Sequence, residues 1–595
     1  MKKTIKLFLP LVLILSALNL GIAQTFEDAL LELESQRPGK ATEMAKAIIA
    51  SDGSAENYIN LGYFYLNLGN WEEATAAFNQ SKSLDSKSDL PDIGLATILV
   101  GQGKINEAKP KLTELLEGTK YKDIPAMYRI MQAYTMFYKF EESEEYNASN
   151  NDPVEALRIF DLIQERILRD KKVEEFPGMY ISKGDAYIIQ NNGGDAVTAY
   201  EYALRLNPNL VSVETKIGSI FLRGKNYKET QIHYKKAVDL DPEYAPVYKK
   251  YGEYLIIGQQ FKNAAKFFKD YLSKSEPTPA DYLQTAKLLF LAKDYHSALE
   301  YTALAEELGV KDLDIFRMKG YSYIEEEQFE EGLKNLQSMV AAGHKPFYQD
   351  DYYFGKAYQG LNQDSVAIEY YNKAAELDTN NNVYMLIQDI YYSAKNYLEA
   401  GKAMENAIKW NEKYEEVNSI DYFRAGMDFY IAAAYMDRAD TLGRPAMAMH
   451  ADTLFASAID LNPYWPPYYI NRARNKNIID YTGTEWLGRV DYENFIHVSD
   501  SLVAAGSSQY KANPKYYFEA YKYLGGYIIA TDTTEGKEDR VKTYFDKALE
   551  INPNDKTILA YYKSLEEPAE GEEGDENQEA EENSEAVMEN DENAK

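Results

Sequence analysis

The chain contains no cysteine in 595 residues. That excludes disulfides, thiolate metal sites, a cysteine nucleophile and a lipid-modified cysteine behind an export signal. Histidine is scarce: His233, His296, His344, His450 and His497 are scattered, and none has a second histidine or an acidic pair at ligand spacing. HExxH, P-loop, GxGxxG and GxSxG motifs are absent. Runs of carboxylates such as Glu325-Glu326-Glu327 read as solvated helix faces. No catalytic residue, metal or cofactor is expected. Beyond residue 23 no apolar run is long enough to span a bilayer, so no integral membrane segment is expected in the mature chain.

Those first 23 residues have their own character. Lys2, Lys3 and Lys6 precede an apolar run from Leu7, and Gly21-Ile22-Ala23 forms a small-x-small cleavage site. Pro10 and Asn19 interrupt the run, which suits a cleaved signal better than a permanent anchor. The expectation is export, with cleavage after Ala23 and a periplasmic or otherwise exported location.

Basic charge is also short, with 64 Lys and Arg against 95 Asp and Glu, for a net charge of −31. Residues 566–595 hold 14 acidic residues and a single lysine. This tail lacks apolar periodicity and is expected to be disordered. An acidic body with an acidic tail offers no counter-charge to nucleic acid or to anionic membrane surfaces, so neither is expected as a partner.

What the sequence does have is a period. Gly62 and Ala96, then Gly184, Gly218, Gly252, Ala286 and Gly320, follow one another at steps of 34 residues, with one longer gap between Ala96 and Gly184. Twelve residues after each lies a second position: Ala74, Ala108, Ala196, Thr230, Ala264, Ala298 and Gly332. In the stretch 176–209, Tyr180, Gly184 and Tyr187 share one helix face, and Asn191-Asn192-Gly193-Gly194 breaks that helix. Ala196, Tyr200 and Ala203 mark a second helix, which Asn207-Pro208 ends. The small residues let two helices approach closely. Of the 52 tyrosines, Tyr65, Tyr187, Tyr200, Tyr234, Tyr323, Tyr358 and Tyr371 fall at packing positions of this repeat. Later copies surround Ala400, Ala451 and Gly525.

This pattern resembles the tetratricopeptide repeat family: aromatic–x₂–Leu–Gly–x₂–Tyr, then Ala–x₃–Phe–x₂–Ala, then Pro. Most units here lack the tryptophan and several lack the proline. The resemblance implies an all-α fold, a right-handed superhelical solenoid of about twelve to thirteen helix–turn–helix units. The expected organisation is a signal peptide at 1–23, N-terminal capping helices at 24–54 and a regular array at 55–410. An array with inserted loops and a C-terminal capping helix follows at 411–565, and the acidic tail at 566–595. Candidate insertions are Glu141–Asp152, Arg438–Ala446, Ile479–Trp486 and Thr531–Glu538. Three fall after residue 430, which predicts a ragged edge of loops there.

The resemblance further implies that the first helix of each unit lines a concave groove, with positions three before and one after the phased small residue pointing into it. Between Ile181 and Asp389 those positions include Lys249, Lys287, Arg317 and Lys356 in successive units, with Tyr321 and Tyr352 among them. A basic ladder inside an acidic protein points to an acidic or carboxylate-bearing segment. The acidic tail is one candidate occupant, in cis. The family's carboxylate clamp is not reproduced, since Lys249 is followed by Glu253 and Arg317 by Tyr321. The expected function is a non-enzymatic scaffold that binds a protein or peptide along the groove in a cell envelope, where it can dock on an envelope complex. The alternative is a glycan- or nutrient-binding module of the SusD type. Against it stand the missing lipidated cysteine and the lack of any insertion long enough for a separate ligand-binding subdomain.

Overall fold

The computed structural model describes residues 25–566, except 140–143, 171–172 and 509. The signal segment and the tail beyond Glu566 lie outside the described residues, and with them the proposed export and tail-in-groove contact. Between these limits the chain is helical, with no strand among the described residues. It divides into two compact units after His344. The first begins with a short pair, Phe26–Glu34 and Pro38–Ser51. Eight antiparallel pairs follow, from Ala55–Asn67 with Trp71–Leu84 to Leu313–Glu325 with Phe329–Ala341. The second unit holds five, from Tyr348–Gly360 with Asp364–Leu377 to Pro514–Thr531 with Lys537–Ile551, and ends in Lys556–Glu566. Within each unit consecutive helices pack in chain order, as a solenoid requires.

The pairing rule is the one the spacing suggested, with a sharper cause. The phased glycine lies against the second small residue in some repeats, as Gly252 does against Ala264 O and Gly320 against Gly332 O, but its tightest neighbour is another. It faces the aromatic or leucine sixteen residues on: a Cβ on Gly218 would stand 2.6 Å from the Tyr234 ring, and one on Gly252 the same distance from Phe268. The small residue of the second helix, such as Ala196 or Ala264, is itself fully buried in the same seam. Tyr134, Tyr200, Tyr234, Tyr371, Tyr468 and Tyr492 are among the largest fully buried side chains. Each such ring contributes about 2 kcal/mol of burial, so part of the abundance of tyrosine is core.

The turn between paired helices is equally regular. Asn191, Lys225, Gln259, Lys293 and Glu327 recur every 34 residues and each has φ between 54° and 61°. The next residue closes the helix end through its backbone N–H, as in Asn192 to Tyr187 O (2.8 Å) and Asn226 to Phe221 O (2.9 Å). This is a left-handed C-terminal cap made without glycine. Asn192, Asn226, Asp294 and Asn396 then cap the second helix with their side chains.

Extra length is taken up in two ways. Loops occupy 437–442, 480–488 and 532–536, the middle one organised by Asp480, which accepts from the backbone of Thr484, Glu485 and Trp486. Longer helices absorb the rest: Tyr397–Tyr414, Ser419–Tyr435 and Gly443–Leu461 run to 18, 17 and 19 residues, against 13 or 14 in most of the first unit. In the first unit, the insertion before Asp152 contains a helix, Glu144–Asn150, whose last residue donates to Val100 O and Gly101 O.

Candidate functional site

First helices of neighbouring repeats meet one another: Val211–Arg223 touches Ala245–Ile257, and Pro279–Leu291 touches Leu313–Glu325. Among the described residues, second helices make no comparable contact with each other. In a stack of pairs, the layer whose members crowd together is the inner one, so the first helices form the inner face.

Along that face of the first unit, the structure brings Lys249, Lys287, Arg317 and Tyr321 onto three successive first helices. The three cations are not open charges. Lys249 Nζ lies 2.8 Å from Asp281 Oδ1, Lys287 pairs with Asp314, and Arg317 Nη1 lies 3.5 Å from the same Asp314. In the two lysine pairs the carboxylate sits at the start of the next repeat's first helix. Asp281 is the third residue of Pro279–Leu291 and also accepts from Thr278 N–H and hydroxyl, closing a capping box. Burial works against its charged form, but Lys249 and Thr278 outweigh burial and hold its carboxyl below the usual range. Asp314 is held low in the same way: burial opposes ionisation, and Lys287 with Arg317 overcomes it. A similar junction recurs in the second unit, where Arg474 makes a bidentate pair with Glu519 (2.7–3.1 Å) and Tyr492 donates to that carboxylate.

The ladder is therefore largely neutralised from within. Side-chain exposure separates its members, at 28% for Lys249, 42% for Lys287 and 15% for Arg317. Tyr321 is only 2% exposed and packs on Phe290, which makes it a core residue rather than a groove contact. Tyr352 and Lys356 belong to the second unit, on Tyr348–Gly360. Tyr352 is half-buried against Tyr353 and Tyr371, and Lys356 is half-buried and engaged by a neighbour. The sequence reading missed Asp281 and Asp314. The signal that could have found them is an acidic residue in the first turn of a helix whose predecessor carries a groove cation.

Clefts open on the described surface. One of about 350 Å³ is bounded by Glu175, Tyr180, Lys183, Asp195 and Tyr202, and one of about 270 Å³ by Trp465, Phe495, Tyr510, Lys511 and Tyr516. Among the described residues no group of three or more His, Asp or Glu is placed to hold a metal ion, and no helix is long and apolar enough to cross a membrane.

The tetratricopeptide repeat profile matches residues 55–88 and 354–381. No curated protein matches the chain. Among solved structures, the chain is similar to the C-terminal part of a TPR repeat-containing protein from Cytophaga hutchinsonii, with 22% identity and a TM-score of 0.34. That match covers 47% of this chain and 98% of the other. A tetratricopeptide repeat protein from Parabacteroides merdae matches at 12% identity and a TM-score of 0.31, over 42% of this chain and 98% of its own. YrrB, described as a TPR protein with an unusual peptide-binding site, matches at 19% identity and 0.27, over 31% and 96%. The two matched segments coincide with Ala55–Asn67 and Trp71–Leu84 in the first unit and with the Tyr348–Leu377 pair in the second, so the same repeat builds both. Residues 55–88 and 354–381 are tetratricopeptide repeats, and the rest of the chain is similar to that family.

Proposed function

We propose that the protein is an exported, non-enzymatic scaffold that holds a segment of a protein partner along the inner face of its first helices. The observation that carries this reading is the crowding of first helices against one another, which turns one face of each repeat inward; of the positions three before and one after the phased small residue, Thr215, Leu283 and Tyr321 are buried and others stay half-buried. Ser219, Glu253 and Lys287 stand at such positions and are only half-buried. Their polar groups supply hydrogen bonds and charge to a bound segment, as in helix- or strand-in-groove recognition.

The ladder's internal pairing changes the expected partner chemistry. A wholly acidic segment would have to compete with Asp281 and Asp314, so the favoured partner carries isolated carboxylates that reach Lys287, the most exposed of the three. Affinity capture from envelope extracts tests this: Lys287→Ala should release the partner more than Arg317→Ala does, with helicity unchanged in both. Equal capture by all three proteins would remove the groove from the account. Export is tested separately by mass spectrometry of the mature N-terminus, expected at Gln24. Binding to an immobilised glycan panel that survives groove substitutions would favour the nutrient-binding alternative.

A further inference from the structure

The first unit touches itself across a long stretch of chain. Gln36 O accepts from Glu276 N–H at 2.9 Å, and Tyr271 donates its hydroxyl to Gln36 Oε1 at 2.7 Å. The Glu276 carboxylate accepts from Gly39 N–H (2.6 Å) and Lys40 N–H (2.9 Å), 237 and 236 residues away. In return, Arg37 Nη1 donates to Lys274 O (2.8 Å) and Glu243 O (2.9 Å). Such separations equal about seven repeats, so the N-terminal pair rests on the edge of the array one winding later.

The contacts are a reciprocal capping of two helices. Pro38–Ser51 has no side-chain cap of its own and no acidic residue in its first turn. Glu276 supplies both, placing a carboxylate on free N–H groups at the positive end of the helix dipole. Arg37 places a guanidinium on the last carbonyl of Phe261–Lys274, at the negative end of that helix. Arg37 is itself held by Glu32, which also pairs with Lys40 at 2.7 Å. Gly39 is part of the fit, since a Cβ there would stand 2.8 Å from Glu276 Oε2. Nearby, Glu34 faces Ser212 and Lys216 of an earlier repeat.

We infer that the pair Phe26–Ser51 is a clasp that closes the first winding of the array and shuts the side entrance to its inner face, so that a large partner enters only along the groove axis or after the clasp opens. The contacts named between Gln36–Lys40 and the Glu243, Tyr271 and Lys274–Glu276 edge are hydrogen bonds, so they open without unfolding the repeats on either side. This conclusion rests on the clasp geometry alone and stands whether or not the groove binds a protein segment.

The absence of cysteine makes the test clean. Glu253→Cys, at a groove position, is reacted with a small maleimide and with a large polyethylene-glycol maleimide, alone and combined with Glu276→Ala or Gly39→Val. Glu276→Ala removes the cap and Gly39→Val obstructs it, so agreement between them separates clasp opening from damage by either change; circular dichroism checks the fold. The expected result is a rise of about ten-fold in the rate of the large reagent in both clasp variants, with the small reagent unchanged. Amide exchange at residues 39–50 should accelerate in parallel. Equal rates for the large reagent with and without the clasp substitutions, or unchanged exchange at 39–50, would overturn the inference.

Discussion

Lys249 Nζ lies 2.8 Å from Asp281 Oδ1, across the junction between two successive repeats, and both side chains are largely withdrawn from water. A charge pair at such a junction ties one repeat to the next at the point where a solenoid is otherwise held only by apolar contact. Lys249→Ala should leave the Asp281 carboxylate buried without its cation and cost about 2 kcal/mol, read as a lower urea midpoint. Asp281 is held below the usual carboxyl range, so its contribution is present above the unfolded value of about 3.9 and is lost as the pH falls through the lower folded value. The Lys249→Ala variant should therefore lose part of wild type's pH dependence in acid.

Asp428 behaves in the opposite sense. It is 2% exposed, accepts from Gln388 Nε2 at 2.9 Å, and burial pushes its carboxyl up to about 7 despite Gln388 and Arg424, with Asp389 adding to the rise. Because the folded value lies above the unfolded one, the unfolded chain releases this proton first. Stability falls as pH rises from about 4 to about 7 and is flat beyond. Asp428→Asn should remove that loss, raising stability at pH 8 by about 1–3 kcal/mol, and its amide can donate to Gln388 Oε1, which has no other partner. Denaturation midpoints at pH 5 and pH 8 for the two proteins check this; parallel shifts at both would contradict it.

Two glycine substitutions should act with opposite signs. Gly252→Val places a side chain into the Phe268 ring, where even a Cβ stands at 2.6 Å, and should cost about 1–3 kcal/mol by overpacking. Lys225→Gly relieves a left-handed backbone at φ 56° and should gain about 0.5–1 kcal/mol after the entropy of a freer unfolded chain. Chemical denaturation of the two variants beside wild type reads both.

The repeat was legible because its cause is local. A glycine that must admit the ring of Tyr234 or Phe268 recurs at fixed phase, and no tertiary knowledge is needed to see it. The turn was only half legible: asparagine caps are visible, but nothing in Lys225, Lys293 or Glu327 announces φ near 60°, since the position is set by the geometry of the pair rather than by the residue. The sequence shows the basic residues at a fixed phase but not the carboxylates that face Lys249 and Lys287, because Asp281 and Asp314 lie 32 and 27 residues from their lysines and become neighbours only when repeats stack. Tyr321 was assigned to the groove by its register, yet Phe290 of the preceding repeat covers it. The clasp was beyond reach for the same reason on a larger scale, for its partners are separated by a whole winding.

The central claim is that the inner face of the first helices is the working surface. Site-specific photo-crosslinking in cells reads it directly, with the crosslinker at Ser219 or Glu253 on that face, or at Ile232, which is 47% exposed on a second helix. The account predicts a discrete crosslinked partner from Ser219 and Glu253 and none from Ile232. A partner captured from Ile232 alone, or equally from all three positions, would contradict it.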